Sequence, residues 1–413
     1  MRLPKSGSTT RALSQLTLFS GLSAVATFAF MALCARQLSA AQFADFTTIW
    51  SVIYVISGTL FGALEPELAR LGAEGANGVA TRTVKFAGAL LVLVVLVGTA
   101  AHVLGLALVV QPWLTWVGIP SLILVAMMGE VVGRGRLAGQ RRTFRYGLVA
   151  PIDAVLRLVG LLLVWSVLSV NLTSSLAVMA AGSLVAAGFA LRASTASLMN
   201  SDGSGSGFKP SNLMHLMSTT AGMTLIISGV PLASRVLQAP DATTAAGVGA
   251  VVLTARIPLL LVMGFESVLV GDFRRRLSQG ENIRGLFVRL ASVGIALGMA
   301  GLGAGAMLGL RTVRIVAGST HGATRIDIAV FAAGAGLCIG CLAMAPLLIT
   351  INRHRSLSTI WLLAAGAMCA VLATGGPSIG VTGLGFVLGN GTALFAMCLV
   401  GFRSSDGREF NNG

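Results

Sequence analysis

The sequence predicts an all-α polytopic membrane protein, and three observations lead to that class. Of the 413 residues, 55% are hydrophobic and only 10% are charged, with a mean hydropathy of +0.87. Soluble globular domains carry about 25% charged residues, so this composition indicates a chain that lies in a bilayer. The apolar residues form long unbroken runs, as membrane-crossing helices require, and the alternating strands of a membrane β-barrel are not visible.

Twelve apolar segments are long enough to cross a bilayer, for which a helix needs about twenty residues. The first segment follows Arg2, Lys5 and Arg11 and imitates a signal peptide. Its length and the many segments after it favour an uncleaved first span. We expect spans at residues 13–35, 46–66, 86–109, 113–133, 147–168, 173–192, 213–235, 243–270, 287–310, 328–351, 357–375 and 378–402.

The basic residues give the predicted orientation. With both termini in the cytoplasm, 22 of the 29 Lys and Arg residues lie in inner segments and 5 in outer segments. This asymmetry follows the positive-inside rule and supports the count of twelve spans. A net charge of +15 spread over many short loops does not form one binding face, so we expect no nucleic-acid partner. Arg157 and Arg256 alone fall inside spans.

The predicted spans divide into two sets of six. Residues 193–212 form a Gly/Ser-rich polar stretch, which we interpret as a cytoplasmic linker. The sequence therefore predicts an N-terminal six-helix bundle (1–192), a C-terminal six-helix bundle (213–402) and a cytoplasmic tail (403–413). Six is even, so both bundles run in the same direction, and parallel repeats of this kind are a common transporter plan.

Residues 31–71 carry a resemblance to a known family. Ala35-Arg36-Gln37-Leu38 ends the first span, an aromatic residue follows at Phe43 or Phe46, and Arg70 ends the second span. This segment resembles the polysaccharide-export flippases of the multidrug/oligosaccharidyl-lipid/polysaccharide exporter superfamily, although their glycine after the aromatic is absent. The resemblance implies two six-helix bundles around a central cavity, which rock between inward and outward states and move a polyprenyl-linked sugar outward.

Arg256 is the first candidate substrate-binding residue. It lies about fifteen residues from Asp241 and from Asp272, which places it near the bilayer midplane. Such residues usually face a cavity or a partner, and Pro258 should loosen the helix beside it. Two interpretations stand: Arg256 binds the phosphate or pyrophosphate of a lipid-linked sugar, or it forms a structural salt bridge to a neighbouring helix.

Arg157 is the second candidate. It follows Asp153 by four residues, so the two side chains share one face of the fifth predicted span. Either they neutralise each other, or the pair opens, Arg157 takes the anionic head group and Asp153 takes a proton. Glu67 and Glu266 are further candidates for ion coupling, with solvated helix ends or partners of nearby arginines as the alternative. Glu130 and Arg134 are interpreted as a surface pair.

These residues favour a transporter and not an enzyme. We expect a flippase that moves a polyprenyl-(pyro)phosphate-linked sugar or polysaccharide precursor across the bacterial inner membrane by alternating access, in cell-envelope polysaccharide biosynthesis. The expected partners are membrane lipid, the polyprenyl-linked glycan substrate and glycosyltransferases or polymerases, with no cofactor and no metal. One alternative is a drug/cation antiporter, which acidic cavity residues would favour. Another is a membrane polymerase or ligase of lipid-linked glycans, which a large outer loop would favour.

Overall fold

A computed structural model describes residues 6–74, 77–105, 111–140, 142–194, 210–259 and 266–406. Within these ranges all regular structure is helical, which confirms the predicted fold class. Helices suit a bilayer because each one satisfies its own backbone hydrogen bonds. The helices are α1 (Ser6–Gln37), α2 (Ala40–Glu74), α3 (Asn77–Val103), a π-helical turn (Leu114–Gly118), α4 (Ile119–Gly139), α5 (Thr143–Val167), α6 (Leu172–Ser194), α7 (Pro210–Ser228), α8 (Val230–Gln238), α9 (Ala242–Ala255), α10 (Glu266–Ser278), α11 (Ile283–Ala317), α12 (Arg325–Thr350), α13 (His354–Thr374) and α14 (Ile379–Asp406).

The number of membrane-crossing helices agrees with the predicted count. Eleven described helices are long and apolar enough to cross a membrane, and the bent pair α7–α8 makes twelve when it is counted as one span. The predicted seventh span (213–235) was expected to be one continuous helix. In the structure it breaks at Gly229, and the two parts differ in direction by 80°.

The predicted eighth span (243–270) is also not continuous. Helix α9 ends at Ala255, and Arg256 lies at its C-terminal cap, two residues before Pro258. A proline ring displaces the preceding turn of a helix, so the interruption confirms the expected loosening at Pro258. After Leu259 the next described helix is α10, which begins at Glu266.

The chain divides into two compact units, Met1–Ala221 and Gly222–Gly413. The predicted linker (193–212) lies largely outside the described residues, so the predicted bundle boundaries stay a prediction. In the first unit α4 packs against α2 and α6, and α1 packs against α5. Gly133 permits the close approach of α4 to α6, since a Cβ atom there would come within 2.6 Å of the Ala190 backbone.

In the second unit α11 packs along α12, and α14 packs against both α12 and α13. Glycines at four-residue spacing make the α11–α12 approach possible. A Cβ atom at Gly305 would lie 2.6 Å from the Cα atom of Ala329, and one at Gly294 would lie 2.9 Å from the Cα atom of Gly340. The glycine spacing of this segment therefore serves close helix packing, as small residues commonly do in membranes.

Candidate functional site

A buried ion pair lies in the first unit, between two residues of α5. The Arg157 Nη2 atom is 2.5 Å from the Asp153 Oδ2 atom, and the two side chains are 3% and 13% exposed. Their spacing of four residues places both on one face of the helix. The structure thus brings together the two residues that the sequence predicts as a pair.

Two neighbouring helices complete the hydrogen bonding of this pair. Arg157 donates from Nη1 to the Tyr54 hydroxyl of α2 (3.1 Å) and from Nη2 to Ser183 Oγ of α6 (2.7 Å). Ser183 in turn donates to Asp153 Oδ1 (3.3 Å). Gly182 admits the arginine, because a Cβ atom there would lie 2.7 Å from Arg157 Cγ. Three helices therefore hold one guanidinium group.

A column of aromatic rings fixes the position of Tyr54. Trp50 stacks on Tyr54 with a centroid distance of 4.6 Å, and Phe46 lies 5.9 Å from Trp50. These residues are four apart on α2, so they form one stripe along the helix. Phe30 of α1 packs on the same rings. The rigid stripe presents the tyrosine hydroxyl to Arg157.

A second ionic cluster lies in the same unit, among α2, α4 and α5. Arg134 Nη2 lies 3.2 Å from Glu65 Oε1, and it donates to the Tyr146 hydroxyl at 3.1 Å. Tyr146 donates to the same Glu65 oxygen at 2.7 Å. The Arg134 guanidinium also lies 5.0 Å from the centre of the Tyr146 ring. This cluster joins helices that are distant in sequence.

The interpretation of Glu130 and Arg134 as a surface pair is wrong. Glu130 is only 7% exposed, because its helix α4 is covered by α2 and α6. Its Oε1 atom lies 3.7 Å from Arg134 Nη1. In the described part of the chain this carboxylate accepts no hydrogen bond, and Asp153 and Arg157 lie within its electrostatic range. Glu130 therefore lies between the two clusters.

Among the described residues, the combined polar network contains more carboxylates than guanidinium groups. Glu65, Glu130 and Asp153 supply three acids, whereas Arg134 and Arg157 supply two bases. Unpaired charge in a low-dielectric interior is costly, so a further positive charge would stabilise the network. The arrangement is suited to exchange of a proton or another monovalent cation.

Arg256, in the second unit, caps the C-terminal end of α7, where the helix breaks. It donates to the Ile227 carbonyl from Nε (2.9 Å) and from Nη2 (2.5 Å), and Nη2 also donates to Ser228 Oγ (2.6 Å). The last carbonyls of a helix lack partners within the helix and carry partial negative charge. A cation at this position satisfies them. The contact to Ile227 is thus a helix cap, which neither sequence-based interpretation of Arg256 anticipated.

The remaining predicted site residues are Glu67 and Glu266. Glu67 pairs with Arg70, three residues later on α2, at 2.7 Å. That contact agrees with the alternative in which Glu67 is a partner of a nearby arginine. Glu266 is the first residue of α10, and its side chain lies outside the described part of the structure. Arg157 belongs to the first unit and Arg256 to the second.

Sequence reasoning missed the partners that tie the network together. Tyr54, Glu65, Tyr146 and Ser183 were not singled out, and their contacts to the arginines join different helices. One signal was present: the chain has only two tyrosines, and both hydroxyls bind an arginine of the network. Among the described residues no group of three His, Cys, Asp or Glu side chains is placed to hold a metal ion.

Comparison with known proteins defines the fold class. The sequence matches no protein-family model, and no curated protein matches it significantly. The structure, however, resembles the lipid II flippase MurJ in an inward closed conformation, with a TM-score of 0.67 and 12% sequence identity. That match covers 96% of this chain and 93% of the flippase.

The chain also has the fold of multidrug transporters. It matches an outward-facing multidrug resistance MATE family transporter of the MOP superfamily with a TM-score of 0.62 and 14% identity, over 96% of this chain and 95% of the other. It matches the Vibrio cholerae MATE transporter VcmN in the bent form with a TM-score of 0.60 and 17% identity, over 97% and 99% of the two chains. The fold is therefore the one that MATE transporters and MurJ share.

Proposed function

We propose that this protein is a flippase that moves a polyprenyl-(pyro)phosphate-linked sugar or polysaccharide precursor across the bacterial inner membrane by alternating access. The observation that carries the proposal is the fold, which extends over nearly the whole of a lipid II flippase and of multidrug transporters. Arginines within apolar spans add to it, since guanidinium groups suit the phosphates of such a substrate.

Arg157 would serve such a cycle by exchanging partners. In the structure its guanidinium is bound by Asp153, Tyr54 and Ser183. When Asp153 takes up a proton, the ionic attraction is lost and the guanidinium becomes available to a phosphate. Glu130 lies close enough to influence that proton electrostatically. A gradient of protons or other cations would then reset the carrier.

The function is tested by deleting the gene and extracting lipids from the cytoplasmic leaflet. A polyprenyl-linked glycan should accumulate there, and surface glycan should be lost. Re-expression of the wild-type protein should restore both. Normal surface glycan without an accumulated intermediate would reject the flippase assignment. The inner-membrane location and the cytoplasmic position of both termini belong to the same proposal.

A second candidate function is drug/cation antiport, which the carboxylate excess in the first unit favours. Three carboxylates and two guanidinium groups lie there among the described residues, and an excess of negative charge suits a cationic substrate. Efflux of a fluorescent cationic dye from cells discriminates the two candidates. An antiporter lowers dye accumulation when it is expressed, whereas a flippase leaves dye accumulation unchanged and alters lipid-linked intermediates.

The glycan substrate class also suggests partners. Glycosyltransferases would assemble the lipid-linked glycan on the cytoplasmic side, and a polymerase would extend it after transfer. Cross-linking in native membranes, followed by identification of the attached enzymes, tests this part of the proposal. A flippase that acts alone would give no reproducible cross-links to such enzymes.

A further inference from the structure

A long apolar groove runs along the second unit. It is formed by the end of α9 and by the facing sides of α11 and α12, and its volume is about 390 Å³. That volume lies within the roughly 300–1,000 Å³ of pockets that bind one small ligand. On α11 the lining extends from Leu297 to Thr312, which corresponds to about 22 Å at 1.5 Å per residue. The groove is therefore long enough for an extended hydrocarbon chain.

The lining of the groove, within the described residues, is almost entirely apolar, and threonine is its only polar side-chain type. Its two threonines donate to carbonyls of their own helices: Thr254 Oγ1 to Ala250 and Thr312 Oγ1 to Leu308. The other lining residues are alanine, glycine, leucine, isoleucine and a proline. Ala304 and Leu308 are exposed along the groove. Since α11 and α12 both have the length and hydropathy of membrane spans, the exposed lining is suited to lipid and not to water.

One end of the groove is cationic. Arg325 on α12 precedes the lining residues Ile328 and Ala332 by three and seven positions, so it continues their face of the helix. Arg311 on α11 follows Ala304 by seven positions and continues the lining face of that helix in the same way. Both arginines are exposed.

The helix register brings these two arginines to the same level. A Cβ atom at Gly309 of α11 would collide with Ile328 of α12, so these two residues face each other near the end of the groove. Arg311 lies two residues beyond Gly309, and Arg325 lies three residues before Ile328. Because α11 and α12 are joined by a short turn and run in opposite directions, both arginines lie on the same side of the Gly309–Ile328 contact, about 3 Å and 4.5 Å beyond it along their helices.

These arginines are available to a ligand. Within the described residues neither Arg311 nor Arg325 makes a salt bridge or a side-chain hydrogen bond. The acid close to Arg325 in sequence, Asp327, accepts from the Thr324 backbone N–H and hydroxyl in a capping box. One oxygen of this carboxylate, Oδ2, therefore accepts hydrogen bonds at the start of α12.

We propose that this groove is a binding site for an anionic phospholipid of the bilayer. One hydrocarbon chain lies along α11 and α12, and the phosphate is bound by Arg311 and Arg325. Charge complementarity supports an anionic head, because two arginines with no ion-pair partner in the described part of the chain lie at one end of the apolar groove. All walls come from residues 222–413, so the site is complete within one unit. The inference does not depend on which molecule the protein transports.

Native mass spectrometry of the purified full-length protein in detergent tests this site. Phosphatidylglycerol, phosphatidylcholine and a polyprenyl phosphate are titrated separately, and each bound lipid is identified by its mass. We expect phosphatidylglycerol to bind more tightly than phosphatidylcholine. Each of the changes Arg311→Ala and Arg325→Ala should lower that affinity about fivefold, from a contribution of about 1 kcal/mol per basic residue.

Two matched controls separate the groove from general surface charge. Arg314→Ala removes an exposed arginine of α11 that does not continue the lining face, and it should leave phosphatidylglycerol binding unchanged. Ala304→Trp should fill the groove and abolish binding. Met299→Trp places the same side chain at an exposed position on the opposite face of α11 and should have no effect.

Three outcomes would overturn the proposal. One is an equal loss of binding in the Arg314 and Arg311 variants. The second is equal affinity for phosphatidylglycerol and phosphatidylcholine, and the third is tight binding of polyprenyl phosphate alone. The measurement records binding and not transport, so its result does not depend on the proposed flippase activity.

Discussion

At the scale of single residues, the two membrane-buried arginines have different surroundings. Arg157 is bound to a carboxylate and two hydroxyls from three helices. Arg256 is bound to a main-chain carbonyl and a hydroxyl at a helix break. A proton on Asp153 would remove the ionic part of the first arrangement, whereas the second includes hydrogen bonds to a main-chain carbonyl and a hydroxyl.

Replacing Arg157 by leucine should destabilise the protein by about 3–5 kcal/mol, because Asp153 would remain buried without its counter-charge. The double change Asp153→Leu with Arg157→Leu should recover part of this loss, since the carboxylate that lost its counter-charge is then also removed. Thermal unfolding of the purified variants measures both effects. Equal stability of the single and double variants would show that the pair does not act as a unit.

Arg256→Ala should lower stability by about 1–3 kcal/mol, because the Ile227 carbonyl loses its donors. Ser228→Ala removes one acceptor and leaves the carbonyl contact, so we expect a smaller loss. Transport measured beside protein level shows whether Arg256 also binds substrate. Arg256→Lys keeps a cation, and partial transport in this variant would support phosphate binding. Full transport in Arg256→Ala would exclude Arg256 from the mechanism.

The sequence identified the arginines and Asp153, but not the partners that lie on other helices. Arg157 and Asp153 share a helix face, so their contact follows from spacing alone. Tyr54 lies 103 residues from Arg157, and no local pattern reports such a contact. The hydrogen bond of Arg256 to Ile227 depends on a break in α7, which hydropathy does not show. Glu130 looked like a surface residue because spacing gives no information on which neighbours cover α4.

At the scale of the helices, two features stand out: the break between α7 and α8, and the close contact between α11 and α12. The break at Gly229 leaves α8 only nine residues long, too short to cross a bilayer alone. Irregular backbone inside a membrane is tolerated where protein or a water-filled cavity surrounds it. Transporters commonly form their binding sites at such discontinuous helices. The pairing of Arg256 with this break is consistent with the proposed function.

Glycine substitutions test the contact between α11 and α12. Gly305→Val should destabilise the protein by about 1–3 kcal/mol, because the new side chain would overlap the Ala329 backbone. Gly303→Val, two residues earlier, places the same side chain into open space and has the same helix propensity. Thermal unfolding of the two variants gives the comparison. A similar loss in both would mean that close packing is not what position 305 requires.

At the scale of the whole molecule, hydropathy predicted the class and the number of spans, since both depend on composition and length. It could not predict the bend between α7 and α8, because a change of direction alters neither quantity. The count of basic residues in inner and outer segments also placed Arg134 in an inner loop. In the structure this arginine belongs to α4 and binds Glu65 across to α2.

The carboxylate excess of the first unit leads to a prediction about coupling. Glu130→Gln removes the third acid and balances two carboxylates against two guanidinium groups, with little change in shape. Transport by the reconstituted variant should no longer respond to a proton or sodium gradient. Glu67→Gln, which removes an acid outside the network, is the matched control and should respond as the wild type does. An unchanged gradient response in Glu130→Gln would reject the coupling role.

The stacked rings of α2 have an optical consequence. Trp50 lies against Tyr54, whose hydroxyl accepts from Arg157, so the indole is one contact away from the buried ion pair. The chain has five tryptophans, and replacing the other four by phenylalanine would leave a single emitter at this position. Its fluorescence would then follow the opening and closing of a charge pair that it does not touch. The fluorescence of Trp50 would therefore report on the Arg157–Asp153 ion pair without an added label.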